Sequence, residues 1–306
     1  MRLRTLFAAA FGALVSATAL AAPRDPLDYR YVAAYFDGGN TTGLRLAGSD
    51  DALEWVSIPA GFQPEVGDWK IFRDPSFARG PDGLFHLVWT AGSDGFGYAR
   101  SRNLTDWEGA RYVPVNRGPL EGELKYTWAP EVWFDQASGT FRVIVSVATR
   151  SWEGSGWRGN FASYMLETED FESFSEPRLL FDPHPAFYDI DAALVEFQGQ
   201  TYAFYKIEDA DLTTPGKEKD GIHWATAPTA DGPWTGYSSE RLPGNKGNSE
   251  GPSPLVVDGA LIVYYDLTPG MRAARSFDGQ TWEDISDQLQ APADFRHGTM
   301  RQLKND

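Results

Sequence analysis

Five short segments put charged side chains at the head of apolar runs: "RDPS" at 73–76, "WAPE" at 128–131, "DIDA" at 189–192, "EGPS" at 250–253 and "RHGT" at 296–299. Four of them carry an acid, supplying Asp74, Glu131, Asp189 or Asp191, and Glu250, while the fifth carries Arg296 and His297. An ionised carboxylate at the start of a buried strand is costly unless it meets water or a cation. Asp74 before Pro75 could simply cap a turn, but a turn cap has no reason to recur at Asp191 and Glu250. Two carboxyls facing each other across a cavity can cleave a glycosidic bond. One stays protonated and donates to the leaving oxygen; the other, ionised, activates water or attacks carbon. A third acid nearby keeps the donor protonated by like-charge repulsion and orients it. Arg73 and Arg296 are expected to lie close enough to offset the desolvation of Asp74.

Such convergence needs elements that bring distant segments to one place. Helical periodicity is nearly absent, and short β-branched and aromatic runs alternate with Gly, Pro, Asp and Asn clusters, so the class is all-β. One turn recurs: "SDDALEW", "SRNLTDW", "TEDFESF", "TADGPW" and "SFDGQTW", ending at Trp55, Trp107, Phe174, Trp234 and Trp282. The separations of 52, 67, 60 and 48 residues suit four-stranded units with variable loops, so five units read as a five-bladed β-propeller. The fourth unit runs "IDAALVEF", "TYAFYK", "IHWATA" and a short last strand near "ERL". The first unit is one strand short, and the spare strand lies at the other end, in "RHGTMRQL" at 296–303. If this tail joins the N-terminal blade, the ring closes and an exposed sheet edge disappears. A β-sandwich is the competing architecture, but it gives no reason for the missing strand to reappear at the C-terminus. The first strand of each blade then lines the central channel, and its starting residues crowd toward one mouth.

The 306 residues would fit two average domains or one large all-β domain, and ring closure makes residues 23–306 one. Residues 1–22 read as a signal peptide: Arg2 and Arg4, the apolar run "LFAAAFGALVSATAL" and the small-x-small site "ALA" at 19–21. Export to the periplasm or medium is expected, with no membrane association once the leader is removed; an uncleaved anchor is the alternative. There is no cysteine, which excludes disulfides, zinc-thiolate sites and a thiol nucleophile. Net charge is −16, or about −18 once Arg2 and Arg4 leave, which argues against nucleic acid and anionic polymers as partners. Eleven Trp within 14% aromatic residues supply flat apolar faces that suit sugar rings as well as cores. A monomer acting on an oligo- or polysaccharide is expected.

With these motifs the chain resembles glycoside hydrolase family 43, five-bladed propeller enzymes that act on arabinose- and xylose-containing polysaccharides. The similarity runs through "RDPSF" with "GPDGLFHLVWT", "WAPEVWFD", "YDIDAALVEFQGQTYAFYK", "SEGPSPLVVDGALIVYYD" and "RHGTM". It implies that Asp74 is the general base, Asp191 the acid that tunes and orients the donor, and Glu250 the general acid. It also implies that His297 contacts a central calcium ion or a water of its shell. The family inverts anomeric configuration, which sets the Asp74 and Glu250 carboxyls about 6.5–9.5 Å apart. Strand alternation sends Asp189 and Asp191 to the same side, so parity cannot choose between them; "IDA" before "ALVEF" favours Asp191 and leaves Asp189 as a substrate contact. Trp128 could stack on a sugar ring or pack in the core, Glu131 could accept hydrogen bonds from sugar hydroxyls, and Arg296 is a further substrate contact. For His297 a satisfied channel histidine without metal is the alternative. His86, His184 and His223 read as structural. The loops at 149–160, with Trp152 and Trp157, and at 208–221 are where substrate selection would reside.

The resemblance thus implies an exo-acting, inverting α-L-arabinofuranosidase-like hydrolase. A β-xylosidase or galactofuranosidase with the same mechanism, a non-catalytic glycan-binding propeller, and a retaining fructan-type enzyme are the alternatives.

Overall fold

The computed structural model describes residues 24–39, 43–149, 161–182, 187–207, 221–245, 248–267 and 270–304. The leader at 1–22, most of the two long loops with Trp152 and Trp157, and His184 lie outside the described residues.

Five antiparallel sheets form the blades. The second contains β4 (Arg73–Arg79), β5 (Phe85–Thr90), β6 (Gly95–Ser101) and β7 (Trp107–Pro114); the third contains β8 (Leu124–Asp135), β9 (Thr140–Thr149), β10 (Phe161–Thr168) and β11 (Arg178–Leu179). The fourth has three strands, β12 (Asp189–Phe197), β13 (Gln200–Ile207) and β14 (Gly221–Ala227). The fifth has β15 (Glu250–Val257), β16 (Ala260–Asp266), β17 (Met271–Ser276) and β18 (Glu283–Asp284). The first is β1 (Tyr31–Phe36), β2 (Arg45–Ser49) and β3 (Val56–Ile58), completed on its inner side by β19 (Arg296–Gln302). β19 pairs with β1 from Tyr31 opposite Gln302 to Phe36 opposite Arg296, so the two ends of the propeller share one sheet. The innermost strands touch in a closed circuit: β19 with β4, β4 with β8, β8 with β12, β12 with β15, and β15 with β19.

Both faces of each blade are buried, which is why the strands read as continuous apolar runs. Along β1, Tyr31, Ala33 and Tyr35 pack against Ile262 and Tyr264 of the fifth blade. The alternate residues Val32 and Ala34 pack against Phe77, Leu87 and Trp89 of the second. Equivalent clusters fill the remaining gaps between blades.

The repeated turn has a common cause. Ser49, Ser101, Thr168 and Ser276 accept the amides of Ala52, Leu104, Phe171 and Gly279 at 2.8–2.9 Å. The Asp or Asn two residues on accepts the next two amides. The fourth blade departs from expectation because "ERL" forms no strand. Segment 235–242, broken by Gly236 and bracketed by Pro233 and Pro243, instead follows β14 through separate backbone bonds at Thr235, Ser238 and Leu242.

Candidate active site

Each inner strand breaks register near the same mouth. The ladder skips between Arg73 and Ser76, Trp128 and Glu131, Ile190 and Ala193, and Glu250 and Ser253, and on β19 between Arg296 and Gly298. In the first four, two residues oppose one, as in a β-bulge. The first bulged residue is left-handed in each: Asp74 at φ +50°, Ala129 at +43°, Asp191 at +59° and Gly251 at +58°. Proline follows at 75, 130 and 252, which suits a position with no ladder N–H to give. Gly251 has a steric reason as well, since a Cβ there would lie 2.3 Å from the His297 ring. Strain in non-glycine residues of this kind costs on the order of 1–3 kcal/mol each and persists where the surroundings enforce it. Here the neighbouring blades do so. The Ala129 amide donates to Thr90 Oγ1 at 2.8 Å, that of Asp191 to Ser146 Oγ at 2.9 Å, and that of Gly251 to Asp191 Oδ2 at 3.0 Å.

The bulges sort the expected residues into three levels. Asp74, Ala129, Asp191, Gly251 and His297 occupy one; Arg73, Trp128, Ile190, Glu250 and Arg296 precede it; Ser76, Glu131, Ala193, Ser253 and Thr299 follow. The acids therefore do not share a single register, because only Asp74 and Asp191 are equivalent.

His297 links that level: its Nδ1 is 3.3 Å from Asp74 Oδ1 and 4.0 Å from Asp191 Oδ2. Asp74 also accepts a 2.8 Å hydrogen bond from the Thr90 hydroxyl. Burial pushes the Asp191 carboxyl up to about 6, with Glu250 and Asp74 adding to the rise and His297 and Lys206 opposing it. Burial would lower His297, but the carboxylates of Asp191, Asp74, Glu250 and Asp266 outweigh it and raise the imidazole above its usual range. Glu250 goes the other way. Burial favours its neutral form, yet the Lys206 ammonium, 3.0 Å from Oε1, together with His297 and Arg296, holds the carboxyl below the ordinary glutamate range.

The remaining expected residues divide. Trp128 stands at the mouth level, packed against Tyr126 and Phe161 at centroid distances of 5.6 and 4.5 Å. Arg296 pairs with the buried Asp266, and Arg73 lies 5.1 Å over the Phe36 ring, so the cation facing Asp74 is His297 rather than either arginine. Glu131 lies deeper, held by Arg301 and by the Thr299 hydroxyl. Asp189 is completely buried and accepts the Ser163 amide at 2.9 Å. The bulge between Ile190 and Ala193 removes the alternation that had made Asp189 and Asp191 indistinguishable, and Asp191 is the one beside His297. His86 and His223 are buried and bonded to Tyr98 and Ser238. Among the described residues no group of three or more His, Asp or Glu side chains forms a metal-ligand set, and His297 Nδ1 is turned to carboxylates. Thr90, Lys206 and Asp266 went unnoticed in the sequence. Their signal was a polar residue closing an apolar second strand, in "LVWT", "AFYK" and "VYYD".

A family profile related to glycosyl hydrolase family 43, described as "Probable glycosyl hydrolase domain", matches residues 27–306. The chain belongs to this family. No curated protein matches the sequence. Among solved structures, an endo-1,4-β-xylanase from Bacteroides thetaiotaomicron superposes with a TM-score of 0.57 at 15% identity, covering 88% of this chain and 93% of that one. A family 117 glycoside hydrolase from Zobellia galactanivorans gives 0.54 at 16%, with 74% and 72% covered. An α-L-arabinofuranosidase from Lactobacillus brevis gives 0.53 at 16%, with 70% and 72% covered. At these identities the likeness speaks for the fold, and the family match places the chain in the family-43-like propeller group described as probable glycosyl hydrolases.

Proposed function

We propose that the protein is an exported, inverting exo-glycosidase that removes pentofuranosyl units, of the α-L-arabinofuranosyl type, from plant-type glycans. The observation that carries this reading is the convergence of Asp74, Asp191 and Glu250 around His297 at one mouth. Asp74, steered by Thr90 and His297, takes a proton from water as the water oxygen bonds to the anomeric carbon. Glu250, whose side chain is 40% exposed at the opening, gives its proton to the glycosidic oxygen as the bond to carbon breaks. Asp74 then releases its proton to solvent, and Glu250 regains one. Asp191 is buried and acts through its field and its bond to the Gly251 amide, next to Glu250 in the chain. The pentofuranose is supported by the motif resemblance.

The test is sugar release from a panel of nitrophenyl furanosides and pyranosides by the wild type and by Asp74→Asn. The expected result is turnover of the arabinofuranoside, abolished in the variant. Oligosaccharide binding without turnover of any substrate would replace this reading with that of a glycan-binding propeller.

A further inference from the structure

An inverting hydrolase needs its acid protonated before the glycosidic bond breaks, yet Glu250 sits against a cation. Lys206 is the penultimate residue of β13, opposite Ile190 in the ladder, and its side chain is only 5% exposed. It crosses from the fourth blade to the fifth and places Nζ 3.0 Å from Glu250 Oε1. We propose that Lys206 is a positioning residue for the proton donor: its ammonium grips one oxygen of Glu250, fixes the carboxyl at the mouth and confines its protonation to acidic surroundings. This inference rests on the donor role given to Glu250 above.

The surrounding charges make the effect one of Lys206 in particular. The same space is ringed by Asp191 from β12, Asp74 from β4, Asp266 opposite Glu250 on β16, and His297 and Arg296 from β19. Arg296 is engaged with Asp266, and His297 faces Asp74 and Asp191. Among the described residues Lys206 is thus the cation in direct contact with Glu250. Without it, burial and the neighbouring carboxylates favour the neutral acid, and only the charges of His297 and Arg296 still oppose them. Grip on Oε1 also leaves Oε2 to address the leaving oxygen. Misplacing a reacting group by about 1 Å can reduce turnover on the order of 100-fold.

The experiment uses the full chain with its glutamate side-chain carboxyls labelled with carbon-13, the Glu250 resonance being the one lost in Glu250→Gln. Its titration is followed in the wild type, Lys206→Met and Lys206→Arg. The midpoint should move to higher pH in Lys206→Met and stay near the wild type in Lys206→Arg. The alkaline limb of kcat should move in the same direction, and the plateau for poor leaving groups should fall by up to about 100-fold in Lys206→Met. A midpoint that is unchanged or lower in Lys206→Met overturns the proposal. If that variant does not fold, Lys206→Gln makes the same comparison. Absence of hydrolysis by the wild type would count against the glycosidase reading alone, because the carboxyl titration reports on Lys206 regardless of turnover.

Discussion

Replacing Asp191 by Asn should stabilise the protein while disabling it, and the gain should depend on pH. The Asp191 side chain is 6% exposed, and its carboxyl is displaced from the ordinary 3.8 to about 6, chiefly by burial. A carboxyl raised in the folded state is ionised at neutral pH in both states, so the fold bears the cost of the charge. That cost is full above about pH 6 and vanishes as pH falls toward 3.8, because the folded form takes up the proton first. At roughly 1.4 kcal/mol per tenfold change in the proton equilibrium, the displacement amounts to about 3 kcal/mol. Asn retains an acceptor for the Gly251 amide. The attraction to His297 that Asn gives up is already contained in that displacement, since His297 opposes the rise. The net gain at pH 8 should therefore be about 1–3 kcal/mol, or a few degrees in Tm for a domain of this size. Urea and thermal unfolding followed by tryptophan fluorescence from pH 4 to pH 8 would measure it. Equal or lower stability of Asp191→Asn at pH 8, or a gain undiminished at pH 4, would refute the reasoning.

Glu250→Ala should lose about 10²–10⁴-fold in kcat/KM on glycosides with poor leaving groups and far less on dinitrophenyl glycosides, which depart without a proton. Equal losses on both would remove Glu250 from the donor role. Deleting residues 296–306 removes β19, exposes the edge of β1 and takes Arg301 away from Glu131 and the Val132 carbonyl. The truncated chain should lose cooperative unfolding and become protease-sensitive, and a wild-type Tm would show that ring closure is dispensable.

Much of the architecture was legible because the blades announce themselves locally. The turn that begins at Ser49, Ser101, Thr168 and Ser276 depends on side-chain acceptors two and three residues before their amides, so it is written in adjacent letters. The closing strand was legible from a count, one strand short at the start and one over at the end. The channel was less so. Bulges shift the levels by a residue, so acids that look equivalent in "RDPS", "WAPE" and "EGPS" stand at three depths, and alternation cannot separate Asp189 from Asp191 across a bulge. Lys206 and Asp266 face the site from second strands, and which strand ends meet across a blade gap is decided by the ring rather than by any neighbour in sequence. Segment 235–242 bonds to β14 without strand geometry because Gly236 breaks it and prolines bracket it.

The most direct measurement of the mechanism is the proton NMR spectrum of the first sugar released from a substrate turned over by the wild type, recorded before mutarotation. Water activated at Asp74 while Glu250 protonates the leaving oxygen predicts an anomer of inverted configuration. A product that first appears with the configuration of the substrate would contradict the account, since it requires a carboxylate to attack the sugar itself.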